Sequence, residues 1–403
     1  MGWYTLYSMK TSKSNFQECD SAYLALQKHL NRQAIGFPAT KSGAEIRLLK
    51  HIFTPLEARI SCFLKQKPEP LKAIFKRASH LVDSPQKLKI ILEDIQKKGG
   101  IEFQQRNGNR YYCNAPLVVG MYEFQLGRLT PQFLDDFNAY TSNRKFGIAF
   151  LSTELPQMRT IPIKQSIRLQ HHVSSYDDVL LLLQRAEAPF VILECICRKK
   201  HALEGETCRV TDRTETCMAI GNMARMALAS ELGREIPRCE AIEIIAQNQK
   251  DGLVLQPSNT QKAEFICSCC GCCCGMLGIQ KRLPLPLAFW ASNFQAAMDN
   301  ELCSGCGICQ QHCQVDAVTV SARTKVARVA NDRCIGCGIC VAACPTGAIS
   351  LNKKMSATVP PETREALLDI IRKNKKGKFD KLMLTGKLVF DAIRTGRTDL
   401  MRS

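Results

Sequence analysis

Cysteine is scarce over the first half of this sequence: of 22 in all, only Cys19, Cys62 and Cys113 precede residue 190. That distribution argues against a disulfide scaffold, whose cysteines are normally spread through a short secreted chain. No apolar run approaches the ~18–20 residues needed to cross a bilayer as a helix. Residues 1–20 lack the apolar stretch and small-residue cleavage site of a secretory signal, so the cytoplasm is the expected compartment. Acidic residues are in deficit, 37 against 55 Lys and Arg, for a formal charge of +18. Such a surface suits acidic partners, nucleic acid or anionic lipid without choosing among them. No flavin or nucleotide loop and no Ser/His/Asp arrangement stands out, so the sequence gives no sign of bond chemistry on an organic substrate.

What is present is a dense block of thiols. Nineteen cysteines lie between Cys195 and Cys344, some consecutive, as in Cys272-Cys273-Cys274. Neighbouring cysteines are poorly placed to pair with each other. Clustered thiols in a reducing compartment point to metal ligation.

The flanking segments divide the chain into an α+β arrangement. Residues 1–40 are expected to be a partly disordered lead-in, with a short helix from Ala22 to Leu30. Thr54-Pro55 and Ser84-Pro85 are helix starts with a cap and a first-turn proline. A further helix is expected over Leu71–Ala78. Leu88, Ile91, Leu92 and Ile95 share one helical face, and Gly99-Gly100 ends that helix. Asn107-Gly108 is a hairpin turn between two short strands. Three helices followed by a hairpin resemble a winged helix-turn-helix, assigned to 41–120. Residues 121–190 read as a linker helix and an α/β segment, with a strand near Ile161–Ile163. A cysteine-rich domain is expected over 191–285, a ferredoxin-like module over 286–352, and a basic helical tail over 353–403. From Leu351 onward thirteen Lys or Arg face six Asp or Glu.

Cys303, Cys306, Cys309 and Cys313 follow C-x2-C-x2-C-x3-C, and Cys334, Cys337, Cys340 and Cys344 repeat it 31 residues later. The flanks repeat as well: Gly305-Cys306-Gly307-Ile308-Cys309 matches Gly336-Cys337-Gly338-Ile339-Cys340. A cubane presents four iron corners, each wanting one thiolate. Three cysteines at three-residue intervals wrap one face of it, and the glycines permit the loop's backbone angles. In two-cluster ferredoxins the fourth cysteine ligates the other cluster. Cys303, Cys306, Cys309 and Cys344 are therefore assigned to one [4Fe–4S] cluster, and Cys334, Cys337, Cys340 and Cys313 to a second. Zinc knots, the alternative, fit this duplicated pattern less well. Each bound cubane would lower the net charge by about two, so the chain stays basic.

The candidate ligands upstream are Cys195, Cys197, Cys208, Cys217, Cys267, Cys269, Cys270, Cys272, Cys273 and Cys274. With four thiolates per cubane, two clusters would use eight and leave two unassigned. Side chains two apart on an extended strand share a side, which would pair Cys195 with Cys197, Cys267 with Cys269 and Cys272 with Cys274. One or two additional iron–sulfur clusters are expected. A zinc–thiolate site, a thiol–disulfide switch and a metal scavenger are the alternatives. His201 is a further candidate donor, more simply a surface histidine, and Arg198 and Lys199 offer charge to a cluster or, more simply, are solvated. Cys239 has no close companions.

Residues 290–352 resemble bacterial two-cluster ferredoxins, although Cys313 precedes Gln314 where that family favours proline. More broadly, the sequence resembles bacterial 4Fe–4S dicluster-domain proteins of anaerobes. The resemblance is carried by Cys195-Ile196-Cys197-Arg198, Gly252-Leu253-Val254, Cys269-Cys270-Gly271-Cys272-Cys273-Cys274 and the ferredoxin repeat. Ser268 departs from the asparagine expected in the dense run. The resemblance implies electron transfer in anaerobic redox metabolism, alone or as a subunit of an oxidoreductase, with donor and acceptor proteins as partners. The competing expectation is a redox-sensing DNA-binding regulator. It would use Lys87, Lys89, Lys97, Lys98, Arg106 and Arg110 on phosphates.

Overall fold

The protein is described here from a computed structural model, covering residues 20–167 and 174–397. The lead-in up to residue 19, Cys19 included, lies outside the described residues. The chain forms two compact units, Met1–Thr153 with Ala229–Glu231, and Glu154–Leu228 with Leu232–Ser403.

In the first unit, helix α1 spans 20–31, followed by α2 (Ala44–Ile52), α3 (Pro55–Ser61), strand β1 (Glu69–Pro70), α4 (Leu71–Ala78) and α5 (Pro85–Lys97). Strands β2 (Ile101–Arg106) and β3 (Asn109–Asn114) close a hairpin, and α6 (Pro131–Thr141) and α7 (Arg144–Leu151) complete the unit. The helix starts follow from their caps. Thr54 Oγ1 accepts from the Glu57 amide at 3.3 Å while the Glu57 carboxylate accepts from the Thr54 amide at 2.8 Å, a reciprocal box worth about 1 kcal/mol. Ser84 caps α5 in the same sense through the Lys87 amide. Asn107 and Gly108 both take positive φ, 48° and 78°, which the tight turn requires. The sheet order is β1-β3-β2, antiparallel throughout. Leu88, Leu92 and Ile95 of α5 are fully buried with Ile74 and Phe103, each large apolar side chain contributing about 1.5–3 kcal/mol.

The second unit is built on an antiparallel five-stranded sheet in the order β7-β5-β6-β9-β8. After β4 (Arg159–Thr160) and α8 (Val179–Arg185), β5 (Phe190–Glu194) leads into α9 (Ile196–Leu203). Then come β6 (Glu215–Ile220), α10 (Asn222–Ala229), β7 (Arg234–Ile236), α11 (Arg238–Lys250), β8 (Val254–Pro257), β9 (Phe265–Cys269) and α12 (Gly275–Arg282). The strand expected at 161–163 does not form there: β4 is Arg159–Thr160, and Ile161 makes only an isolated bridge to Leu255, donating its amide to the Leu255 carbonyl at 3.2 Å.

The ferredoxin segment follows as β10 (Ala291–Ser292), β11 (Phe294–Met298), α13 (Ile308–Gln311), β12 (Val318–Val320), β13 (Ala327–Val329), α14 (Ile339–Ala342) and β14 (Ile349–Lys353). Its internal repeat is structural as well as sequential. Gly307 and Gly338 cap the two short helices with φ of 79° and 78°, and Gly305 and Gly336 sit at 73° and 65°. Antiparallel pairs β11–β14 and β12–β13 bracket the two cysteine loops. The five-stranded sheet and the ferredoxin segment share one core, in which Ile161, Leu255, Ile266 and Leu277 pack with Val315, Ile335, Ile339 and Ile349. A buried polar strut supports it: Arg159 pairs with Asp177, and Asn293 Nδ2 donates to Asp177 at 2.9 Å. The tail forms α15 (Arg364–Lys373) and α16 (Lys378–Thr395), with Phe379, Leu382, Met383, Phe390 and Ile393 exposed.

Candidate metal centres

The two ferredoxin loops are unlike in exposure. Cys303, Cys306, Cys309 and Cys344 line one shallow hollow together with both loop glycines, Gly305 and Gly307. Cys306 is exposed, and Cys303 and Cys344 are half-buried. Cys334, Cys337, Cys340 and Cys313 are mutual electrostatic neighbours, and Cys334 and Cys340 are buried. Residues 161–166 roof this second loop: Ile163 donates to the Cys337 carbonyl at 2.9 Å, and Ser166 packs against Gly338. Backbone amides address the sulfurs. Ala327 donates to Cys303 at 3.4 Å, Ala317 to Cys313 at 3.2 Å and Ala296 to Cys334 at 3.4 Å. Burial pushes the thiols of Cys334, Cys337 and Cys340 up, Cys337 to about 12. Burial also raises Cys344, but the Thr346 hydroxyl and nearby amides bring it below the usual thiol range. Amide contacts of this kind stabilise negative charge on sulfur and tune a cluster's potential.

Upstream, the fold sorts ten thiols into two sets. Cys208, Cys270, Cys272 and Cys273 bring their sulfurs within 4.8 Å of one another. The individual separations include 3.6 Å from Cys208 to Cys270, 3.8 Å from Cys208 to Cys272 and 3.6 Å from Cys272 to Cys273. Burial raises Cys208, but the amides of Thr211 and Val210 and its sulfur and guanidinium neighbours outweigh it, and its pKa falls to about 7. Burial raises Cys270 to about 11. His201 does not join the sulfurs: its Nε2 donates to the Cys272 carbonyl at 3.0 Å, bracing the loop.

The other six form a closed ring. Cys195 contacts Cys197 and Cys217; Cys197 contacts Cys274; Cys274 contacts Cys269; Cys269 contacts Cys267; and Cys267 contacts Cys217. Strand register explains the closure. Met218 pairs with Ile266, which puts Cys217 beside Cys267 on adjacent strands, and Cys267 and Cys269 share one face of β9. Cys195 caps α9 and Cys274 caps α12, so two helix starts supply the remaining side. Gln256 reaches Cys274 Sγ at 3.9 Å. Cys195, Cys269 and Cys274 are buried, and Cys197, Cys217 and Cys267 are half-buried. Cys195, hydrogen-bonded by two neighbours, is held well below the thiol range, and the other five lie well above it.

Arg198 is buried, which rules out a solvated role, and the thiols of both sets act on it. Its guanidinium donates to Thr216 Oγ1 and, at 3.1 Å, to the Ser268 carbonyl. Lys199 instead pairs with Glu194 near the surface. Ser268 turns its hydroxyl away to accept from Asn248 at 2.8 Å. Cys272 and Cys274 go to different sets because residues 271–273 turn rather than extend. Cys239 is exposed, on α11.

A contact missed by sequence reasoning joins the dense run to the ferredoxin repeat. The Gly271 amide donates to Gln314 Oε1 at 2.7 Å, and a Cβ on Gly271 would lie 2.2 Å from the Gln314 carbonyl oxygen. Gln314 is the residue that replaces the usual proline; that substitution was the available signal.

Residues 296–351 match the family described as 4Fe-4S dicluster domain. The match supports an iron–sulfur, ferredoxin-type protein. No curated protein and no solved structure matches the chain. Among the described residues, no helix is long and apolar enough to cross a membrane.

Proposed function

We propose that this chain is an electron-transfer protein of anaerobic redox metabolism, carrying one electron at a time through two [4Fe–4S] clusters of its ferredoxin segment. The observation that carries the reading is the duplicated loop: two sets of four cysteines on repeated backbones, in the residues that match the dicluster family. Cys303, Cys306, Cys309 and Cys344 would hold one cluster. Cys334, Cys337, Cys340 and Cys313 would hold the other, so each fourth cysteine crosses to the opposite loop. Cross-ligation brings the clusters close. The exposed Cys306 side faces donors or acceptors, and the roofed second loop faces the cysteine-rich sheet. A bound cubane supplies the redox chemistry; the protein's amides, burial and charge set its potential.

The order β1-β3-β2 behind three helices supports a winged-helix reading of the first unit. Its basic residues are partly spoken for: Arg110 pairs with Glu93 at 3.2 Å and stacks over Phe103, and Lys87 pairs with Asp83 at 3.0 Å. Those contacts favour a protein-docking module over a phosphate-binding surface, and fold alone does not decide function.

Anaerobic purification with iron and sulfide analysis, followed by EPR after dithionite reduction, tests the proposal. Two reducible cubanes, removed by Cys306→Ser and Cys337→Ser, are expected. Stoichiometric zinc with essentially no acid-labile sulfide in the ferredoxin segment would overturn it.

A further inference from the structure

Ten upstream thiols cannot be shared out as two cubanes without remainder, and the fold divides them four and six. The two groups differ in shape. Four sulfurs around one ion with metal–sulfur bonds of about 2.3 Å stand about 3.8 Å apart at the corners of a tetrahedron. Cys208, Cys270, Cys272 and Cys273 have separations of 3.6–3.8 Å along three edges and none above 4.8 Å. A cubane holds its thiolates wider, because each caps a different iron. Among the described residues, no three ferredoxin or ring cysteines pack that closely.

The six-membered ring has the opposite character. Strand register sets Cys217 beside Cys267, the starts of α9 and α12 bring Cys195 and Cys274 to the same place, and among the described residues no three of the six sulfurs draw within 4.8 Å of one another, so no compact four-sulfur site stands out among them. A cubane has four terminal positions and would leave two of these thiols without metal. Six thiolates ligating metal in one place also need a large compensating positive charge. Arg198 is the guanidinium buried beside them, and it serves both sets. One cation offsets one charge, and a cubane core about two more.

We propose that the cysteine-rich segment holds two unlike metal centres: one tetrahedral tetrathiolate ion, zinc or iron, at Cys208, Cys270, Cys272 and Cys273, and one polynuclear iron–sulfur centre larger than a cubane in the six-cysteine ring. This rests on the reading of the chain as an iron–sulfur protein and deepens it. The tetrathiolate ion fixes the turn that carries Gly271 to Gln314. The ring centre lies at the end of the sheet, with ligands from β6, β9 and the starts of α9 and α12.

The test counts metals in the full chain purified without oxygen. The wild type should hold more than about thirteen irons, since two ferredoxin cubanes account for about eight, a third cubane would bring only about four and the single ion at most one. The double variant Cys208→Ala/Cys273→Ala should lose one metal ion and no sulfide. Cys217→Ala/Cys267→Ala should lose more than about four irons together with sulfide. About thirteen irons or fewer in the wild type would overturn the larger centre, whatever the folding of the variants. Loss of about four irons and four sulfides from the first variant would overturn the single ion. In either failure the ferredoxin EPR signals persist, whereas their absence from the wild type would instead strike the function proposed above.

Discussion

Gly336 has no room for a methyl group. A Cβ there would meet the Phe294 carbonyl oxygen at 2.1 Å, and the residue holds φ of +65°. Gly336→Ala should therefore distort the second ligand loop and cost the chain about one cubane's iron, on the order of four atoms. Gly278→Ala is the control: its Cβ would meet nothing within 4 Å. In the helix interior alanine should be neutral or stabilising by about 0.5–1 kcal/mol. Iron and sulfide analysis of both variants checks the contrast. Cys62 offers a pH test away from the metal sites. Its thiol donates to the Ala58 carbonyl at 3.3 Å, and burial pushes its pKa to about 11. Thiolate, the reactive form, accumulates only as pH rises towards that value. At pH 8.5 alkylation of Cys62 should be on the order of a hundredfold slower than for an unperturbed thiol. Peptide mapping of iodoacetamide adducts from pH 7 to 10 measures this, and a rate that plateaus below pH 9 would contradict it.

At the scale of elements, the strut that ties β4 through Asp177 to Asn293, just before β11, bears heavily on stability. Arg159 and Asp177 are both buried, so Asp177→Asn leaves a guanidinium without its counter-charge. The expected loss is about 3–5 kcal/mol, read as a lowered midpoint in anaerobic urea denaturation. Gln314→Ala removes the acceptor of the Gly271 amide. It should cost about 1 kcal/mol and speed metal release from the four-sulfur set to a chelator, with ferredoxin iron retained. Much of this level was legible in the sequence. Thr54, Ser84, Asn107-Gly108 and the spaced cysteines act through contacts a few residues apart, so the local pattern carries the geometry. The division of the upstream thiols was not legible. It depends on Cys217 lying beside Cys267, fifty positions away, and on a turn that parts Cys272 from Cys274. Strand order and long-range register supply both, and neither leaves a local trace. The solvated role expected for Arg198 failed for the same reason, since its burial is set by Thr216 and Ser268 on distant strands.

Over the whole molecule, the net charge of +18 on the metal-free chain makes encounter with anions favourable. Reduction by dithionite should slow several-fold between 0.1 and 1 M salt, as the screening length falls from about 10 Å to about 3 Å. Stopped-flow bleaching of cluster absorbance gives the rate, and a salt-independent rate would contradict this. The shared interior has a further consequence. Ile335, Ile339 and Ile349 find their apolar company in Ile161, Leu255, Ile266 and Leu277, outside the ferredoxin repeat. The small electron-carrying half is thus no detachable cartridge. Trimmed to its own borders, it would turn a greasy flank to water, and the fragment would precipitate or grope for a replacement wall.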